Sequence, residues 1–186
     1  MIFARWRARR DARVLIDHLH GEIVAAARRP ALFIDCGVPD TMDGRFEMVV
    51  LHADLLLRRL AQTGAADLTQ DLVNRLFEGF DDALREMAIG DVGVVKRMTK
   101  FASAYYGRAG AYGPALEAGD HVALAAALAR NALRVEGVPD SAHRLAARAL
   151  ATRALLAATP SESLESLSMR YPVPETAPYP VPETAP

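Results

Sequence analysis

The residues able to do chemistry are few and scattered. Asp81 and Asp82 stand side by side on a segment of helical periodicity. A carboxylate pair of that kind can hold Mg²⁺ against a diphosphate. The position that would need a third aspartate is Arg85, however, and its distance from Asp81 suits an intrahelical ion pair instead. Cys36 is the single cysteine, which excludes a disulfide framework and a multi-cysteine zinc site; in the apolar run ALFIDC it reads as packing. Of the five histidines, His18 and His20 are two apart and so point to different helix faces, and His52, His121 and His143 fall on separate elements. His52 reads as a hydrogen-bonded core histidine. A Gly-rich phosphate loop, a GxSxG elbow and an HExxH pair are all missing. The expectation is a protein that is not an enzyme and needs no metal or cofactor.

Contact chemistry is more abundant. In Gly90–Leu116, GDVGVVKRMTKFASAYYGRAGAYGPAL, helical spacing stacks Val94, Met98, Phe101 and Tyr105 on one side and turns Lys96, Arg97 and Lys100 the other way. Tyr105-Tyr106-Gly107-Arg108 reads as the stop of that helix, with Gly107 in the left-handed conformation and Arg108 beside the last carbonyls. The segment is either a core helix with a solvated face or a binding surface. At the N-terminus Ile2, Phe3 and Trp6 alternate with Arg5, Arg7, Arg9, Arg10 and Arg13. That pattern suits a helix lying on an anionic membrane surface, or a bundle helix with Trp6 inside. The formal net charge of -1 makes the chain as a whole neither polybasic nor an acidic tail, so any basic site must be local. Neither a run of ~20 apolar residues nor a secretory apolar region is present, which suggests a cytoplasmic or organelle-internal protein.

These residues need elements to position them. A chain of 186 residues suits one domain. The expected divisions are a basic aromatic segment over 1–13, a helical domain over 14–160, and a low-complexity tail over 161–186. In the tail the octapeptide YPVPETAP occurs twice, from Tyr171 and from Tyr179, and no core-forming role is expected for it. The first helical pattern runs to Ala27 and stops at Pro30. Ala31–Asp40 has strand character without a partner strand, and so reads as a packed connector. Asp43 is placed as the cap of a helix over Gly44–Gln62. That helix carries one stripe of Phe46, Val49, Val50, Ala53, Leu57 and Leu60, and a second of Met48, Leu55 and Leu56 with His52 and Arg59. A helix apolar nearly all round is central or covered by a partner. Asp67 with Gln70 resembles a capping box for the next helix. Asp120 starts another that ends at Gly137, and Ser141 starts the last, stopped by Pro160. The fold class is all-α, a single globular multi-helix domain of six or seven helices with no sheet.

Two stretches, GRFEMVVLHADLLLRRL and LFEGFDDALREMAIGDVGVVKRMTKFASAYYGRAGAYGPAL, resemble the ubiquinol–cytochrome c chaperone family, assembly factors of the cytochrome bc1 complex. The likeness spans Val38 to Leu133. Its most specific parts are Gly44-Arg45-Phe46-Glu47 with Leu51-His52, Arg85-Glu86 with Gly90-Asp91, and Tyr106-Gly107-Arg108 with Tyr112. Ala88 departs from the pattern, where a glycine is expected, and a long presequence is missing, which favours a bacterial member. The resemblance implies an all-helical, non-enzymatic chaperone that binds nascent or unassembled cytochrome b, with other bc1 subunits as further partners. It would work in the cytoplasm, peripheral to the inner membrane, or on the mitochondrial matrix side in eukaryotic relatives. Mitochondrial members act near the ribosome with a small partner protein, a role not carried over here. On this reading the partner and client residues are Arg45, Met48, His52, Leu55, Arg59, Lys96, Arg97, Lys100, Tyr105, Tyr106, Arg108 and Tyr112. The membrane-facing ones are Ile2, Phe3, Arg5, Trp6 and Arg9. Neither a specific nucleic acid nor a small-molecule substrate is expected. Two other classes stay open: an isoprenoid-type helical enzyme using Asp81 and Asp82 with Mg²⁺, and a nucleic-acid- or ribosome-binding module with its basic residues on one continuous face.

Overall fold

A computed structural model describes the backbone of residues 2–86 and 91–174, and the side chains of residues 10–86 and 93–174. It is built around α3, Met42–Thr63, in which every residue from Phe46 to Leu57 is buried. A helix apolar on all sides has no face to give to solvent and must be wrapped. The wrapping comes from α1 (Ile2–Ala27), α4 (Ala66–Glu86), α5 (Asp91–Ala118) and α7 (Asp140–Ala158), each packed against α3. Shorter pieces close the gaps: α2 (Pro30–Ile34), α6 (His121–Leu128), a π-helical turn over Ala129–Leu133 and α8 (Ser161–Leu164). No strand occurs among the described residues, and the architecture is one all-α domain. Among the described residues no helix is long and apolar enough to cross a membrane.

The junctions differ from expectation in instructive ways. Residues 31–40 contain the short helix α2, with Pro30 in its first turn, so one proline both ends α1 and opens the next helix. Thr41, not Asp43, caps α3 by accepting from the Gly44 amide at 3.2 Å, which frees the Asp43 side chain. Gly44 is required there, since a Cβ would lie 2.0 Å from the Pro39 carbonyl oxygen. Asp67 lies inside the first turn of α4 and Gln70 bonds to Asn74, so the capping box does not form.

The largest departure is in α5, which does not stop at Gly107. It continues through Gly110, Gly113 and Pro114 to Ala118 and is closed by Gly119 at φ +68°. Inward anchors beyond Gly107 explain the continuation: Arg108 pairs with Glu47 of α3, and Tyr112 and Leu116 are fully buried. Near the break that Pro114 makes in the backbone ladder, Arg58 donates to the Ala109 carbonyl at 2.8 Å. Farther on, Asp120 caps α6 as expected, accepting from Ala123. The helix then loosens into the π-helical turn and ends at Arg134, at φ 56°, before Gly137 is reached.

Residues 161–174 are also part of the fold, contrary to their reading as tail. Leu164, Met169 and Tyr171 are buried. The Tyr171 hydroxyl donates to the His52 carbonyl at 2.8 Å and its amide to Glu22. The first octapeptide thus supplies a core tyrosine, because the exposed edge of α3 between α1 and α7 is apolar and needs a cover. The second octapeptide lies outside the described residues.

Candidate functional site

Helix α5 is held down along one side and free along the other. Val94 is buried, and Phe101 and Tyr105 join Phe46, Phe77 and Phe80 in an aromatic cluster with ring centroids 4.4–6.2 Å apart. Offset and edge-on ring pairs of this kind add to area burial and set the roll of the helix. The roll turns Val95 and Tyr106 outward, 68% and 65% exposed, on one side of α5. They lie eleven positions apart, three helical turns, and so share a face. Tyr105 packs edge-on against Tyr106 with centroids 5.2 Å apart, which braces the exposed ring. Burial pushes the Tyr105 phenol up to about 12. Lys96 and Lys100 are exposed beside this apolar strip and make no ion pair among the described residues.

On a different side of α5, facing the start of α3, is an open cleft of about 720 Å³. One wall is the start of α3 with its leading loop, including Met42 and Asp43; the opposite wall is Arg97, Lys100 and Phe101 of α5; Ala132 and Arg134 close the end. Arg97 points across to Met42 Sδ at 3.9 Å, and Arg134 pairs with Asp43 at 2.9 Å. Three cations therefore face one carboxylate. Sequence reasoning missed Arg134 and Asp43, because it drew the helix from Asp120 four residues too long and used Asp43 as a cap. No local signal places either residue against α5.

Other residues expected at a contact surface turn inward. Met48 and Leu55 are buried and present no face to a client. His52 is buried with Nδ1 2.8 Å from the Met48 carbonyl, and burial lowers its pKa to about 4, so it is a neutral core histidine. Arg59 donates to the Leu156 and Thr159 carbonyls and caps the end of α7. Arg45 is exposed on Asp40 at 2.6 Å. Arg108 is committed to Glu47, which raises its pKa. The Tyr112 hydroxyl is fully buried beside Arg108, and burial, with the nearby Glu47 carboxylate, holds its phenol far above the ordinary range. Arg58 joins Asp54, Glu117 and the Ala109 carbonyl in a network that ties α3 to α5.

Of the residues weighed for catalysis, Asp81 accepts from Arg85 at 2.6 Å, the intrahelical pair their spacing suggested. No group of three metal-ligating side chains occurs among the described residues. Cys36 is buried, and burial pushes its thiol up, which suits packing. The backbone of residues 2–9 continues α1, but the side chains of Ile2, Phe3, Arg5, Trp6 and Arg9 lie outside the described residues.

The geometry is that of a helical protein whose outward chemistry is contact. Comparison with known proteins agrees, since residues 34–170 match the family described as ubiquinol-cytochrome C chaperone. The chain belongs to that family. The match runs past Pro160, consistent with the packing of Leu164 and Met169 onto the chaperone fold. The chain is also similar to the crystal structure of the Cbp3 homolog from Brucella abortus: 40% identity, a TM-score of 0.79, and coverage of 92% of this chain and 96% of that one. None of the individually curated proteins matches. Membership in the ubiquinol–cytochrome c chaperone family supports a role in assembling the bc1 complex, and such a role is non-enzymatic.

Proposed function

We propose that this chaperone holds unassembled cytochrome b during bc1 assembly through the outer face of α5. The observation that carries the proposal is the pairing of two large exposed apolar side chains, Val95 and Tyr106, with Lys96 and Lys100 beside them. An exposed apolar strip edged by charge is the pattern of a protein-contact surface. Apolar contact there would give affinity for a client rich in apolar segments, and the lysines would orient it, since rim charges steer more than they hold. Of the interior positions, Tyr105, Arg108 and Tyr112 hold α5 from behind, whereas Met48, His52 and Leu55 are buried in α3. Peripheral membrane contact by the arginine- and aromatic-rich residues 2–13 belongs to the same proposal, because the client is a membrane subunit.

The test is co-purification from a deletion strain complemented with tagged chain. A Val95→Ser/Tyr106→Ser variant with an unchanged melting curve is expected to recover about tenfold less cytochrome b and to lower bc1 content. Equal recovery with wild type overturns the α5 assignment, and normal bc1 content in the deletion strain overturns the assembly role. For the membrane contact, deleting residues 1–10 is expected to abolish binding to anionic liposomes.

A further inference from the structure

The cleft between α3 and α5 carries chemistry of its own. We propose that it is a docking site for an acidic segment of a protein, a short stretch bearing glutamate or aspartate next to an apolar residue. This rests on the reading of α5 as the client-facing helix, because Arg97, Lys100 and Phe101 belong to the same helix as Val95 and Tyr106.

The cleft's lining defines the occupant. Arg97, Lys100 and Arg134 project from two separate elements around a volume of about 720 Å³, with Asp43 as the single opposing carboxylate. Asp43 is engaged by Arg134 at 2.9 Å and both are more than half exposed, so the pair is solvated and exchangeable. An incoming carboxylate can take the Arg134 guanidinium, while Arg97, which reaches the Met42 sulfur at 3.9 Å and pairs with no carboxylate among the described residues, can form a fork of two hydrogen bonds. Met42, Pro39 and Phe101 leave apolar surface between the cations. The volume falls in the range of sites that enclose a short peptide or small molecule.

The shape is also built. Gly44 lets the Pro39 carbonyl approach to where a Cβ would be 2.0 Å away, which folds the loop of residues 37–41 over the start of α3 as a wall. Arg134 occupies the left-handed region at φ 56°, and that conformation carries its guanidinium onto Asp43 across the cleft. Concavity favours a protein segment over a bilayer. Cations that bind a membrane lie on a flat or convex face, whereas these surround a recess that a single chain can enter.

The experiment measures fluorescence anisotropy of a labelled peptide of alternating glutamate and leucine on the purified full chain at low salt. The acidic peptide is expected to bind at least about tenfold more tightly than its glutamine counterpart. Arg97→Glu/Lys100→Glu should remove that preference, and Lys96→Glu, outside the cleft on the same helix, should change it less than about threefold. The reversed pair should also gain binding to the lysine counterpart. Equal binding of glutamate and glutamine peptides overturns the proposal. So does an equal loss with Lys96→Glu, or capture of phosphatidylglycerol vesicles through Arg97 and Lys100 without peptide binding. If the peptide result fails while cytochrome b recovery still depends on Tyr106, only the cleft assignment falls. If peptide binding holds while Tyr106 proves indifferent, the cleft stands and the α5 strip falls.

Discussion

The Arg108 guanidinium closes on the Glu47 carboxylate across the α3–α5 interface, with Nε 2.9 Å from one oxygen and Nη2 2.7 Å from the other. The two residues are 61 positions apart in sequence. Glu47 is 2% exposed, so its charge has exchanged water for this one guanidinium. A buried carboxylate tolerates that exchange only while the cation stays.

Removing Arg108 should therefore unfold the protein more readily than its partly exposed position suggests. Arg108→Ala is expected to cost about 3–5 kcal/mol, the price of an uncompensated buried charge. For a domain of this size that is a fall in Tm of roughly 6–20 °C. Adding Glu47→Gln in the same chain should recover part of the loss. A calorimetric Tm within about 2 °C of wild type for Arg108→Ala would contradict the pairing.

His52 sets part of the acid response. Desolvation lowers its pKa to about 4 from 6.5 despite the Met48 carbonyl, which acts the other way. The folded chain then keeps His52 neutral while the unfolded chain takes up a proton. Stability from this residue is fully present above pH 6.5, falls as pH drops toward about 4, and levels below that. The loss across that window is about 3 kcal/mol. His20, lowered by burial and by Arg75, acts in the same direction. Urea unfolding at neutral and acid pH should show a shallower acid loss in His52→Asn than in wild type.

Continuation of α5 through Gly107 can be tested with two alanines. A Cβ at Gly107 meets nothing within 4 Å, so Gly107→Ala should stabilise by about 0.5–1 kcal/mol through helix propensity. At Gly113 a Cβ would lie 2.5 Å from Arg58 Nη2, a guanidinium held by Asp54, Glu117 and the Ala109 carbonyl. Gly113→Ala should destabilise by roughly 1–3 kcal/mol. The opposite signs are read from urea midpoints at unchanged slope. A helix that stopped at Gly107 in the left-handed conformation would make Gly107→Ala destabilising.

Tyr171 should behave as a core residue. Tyr171→Phe removes the bond to the His52 carbonyl and should cost about 1 kcal/mol, whereas Tyr171→Ala should cost about 3–5 kcal/mol. Indifference of thermal stability to Tyr171→Ala would return residues 171–174 to the tail.

Much of the fold was legible in advance because helices advertise themselves locally. The stripe of Val94, Phe101 and Tyr105 and the all-round apolar character of α3 are periodicities within a few turns, and both faces fell where the pattern put them. The Asp120 cap and the Asp81–Arg85 pair are likewise short-range. At the candidate site Lys96, Arg97, Lys100 and Tyr106 are exposed as read. Tyr105, Arg108 and Tyr112 are not, because each faces the core: Tyr105 meets the aromatic cluster, Arg108 meets Glu47, and Tyr112 is fully buried.

By itself, then, the amino-acid order determined an all-α chain, its central helix and the family it belongs to, through spacing and local chemistry. Only tertiary structure decided that α5 runs past its glycines, that His52 lies against Tyr171, and that Arg134 meets Asp43 across a cleft. The physical reason is range. Helical periodicity and caps act over three or four residues, whereas the partner that makes Gly107 a mid-helix residue, or a tail tyrosine part of the core, is chosen by packing among segments far apart in the chain.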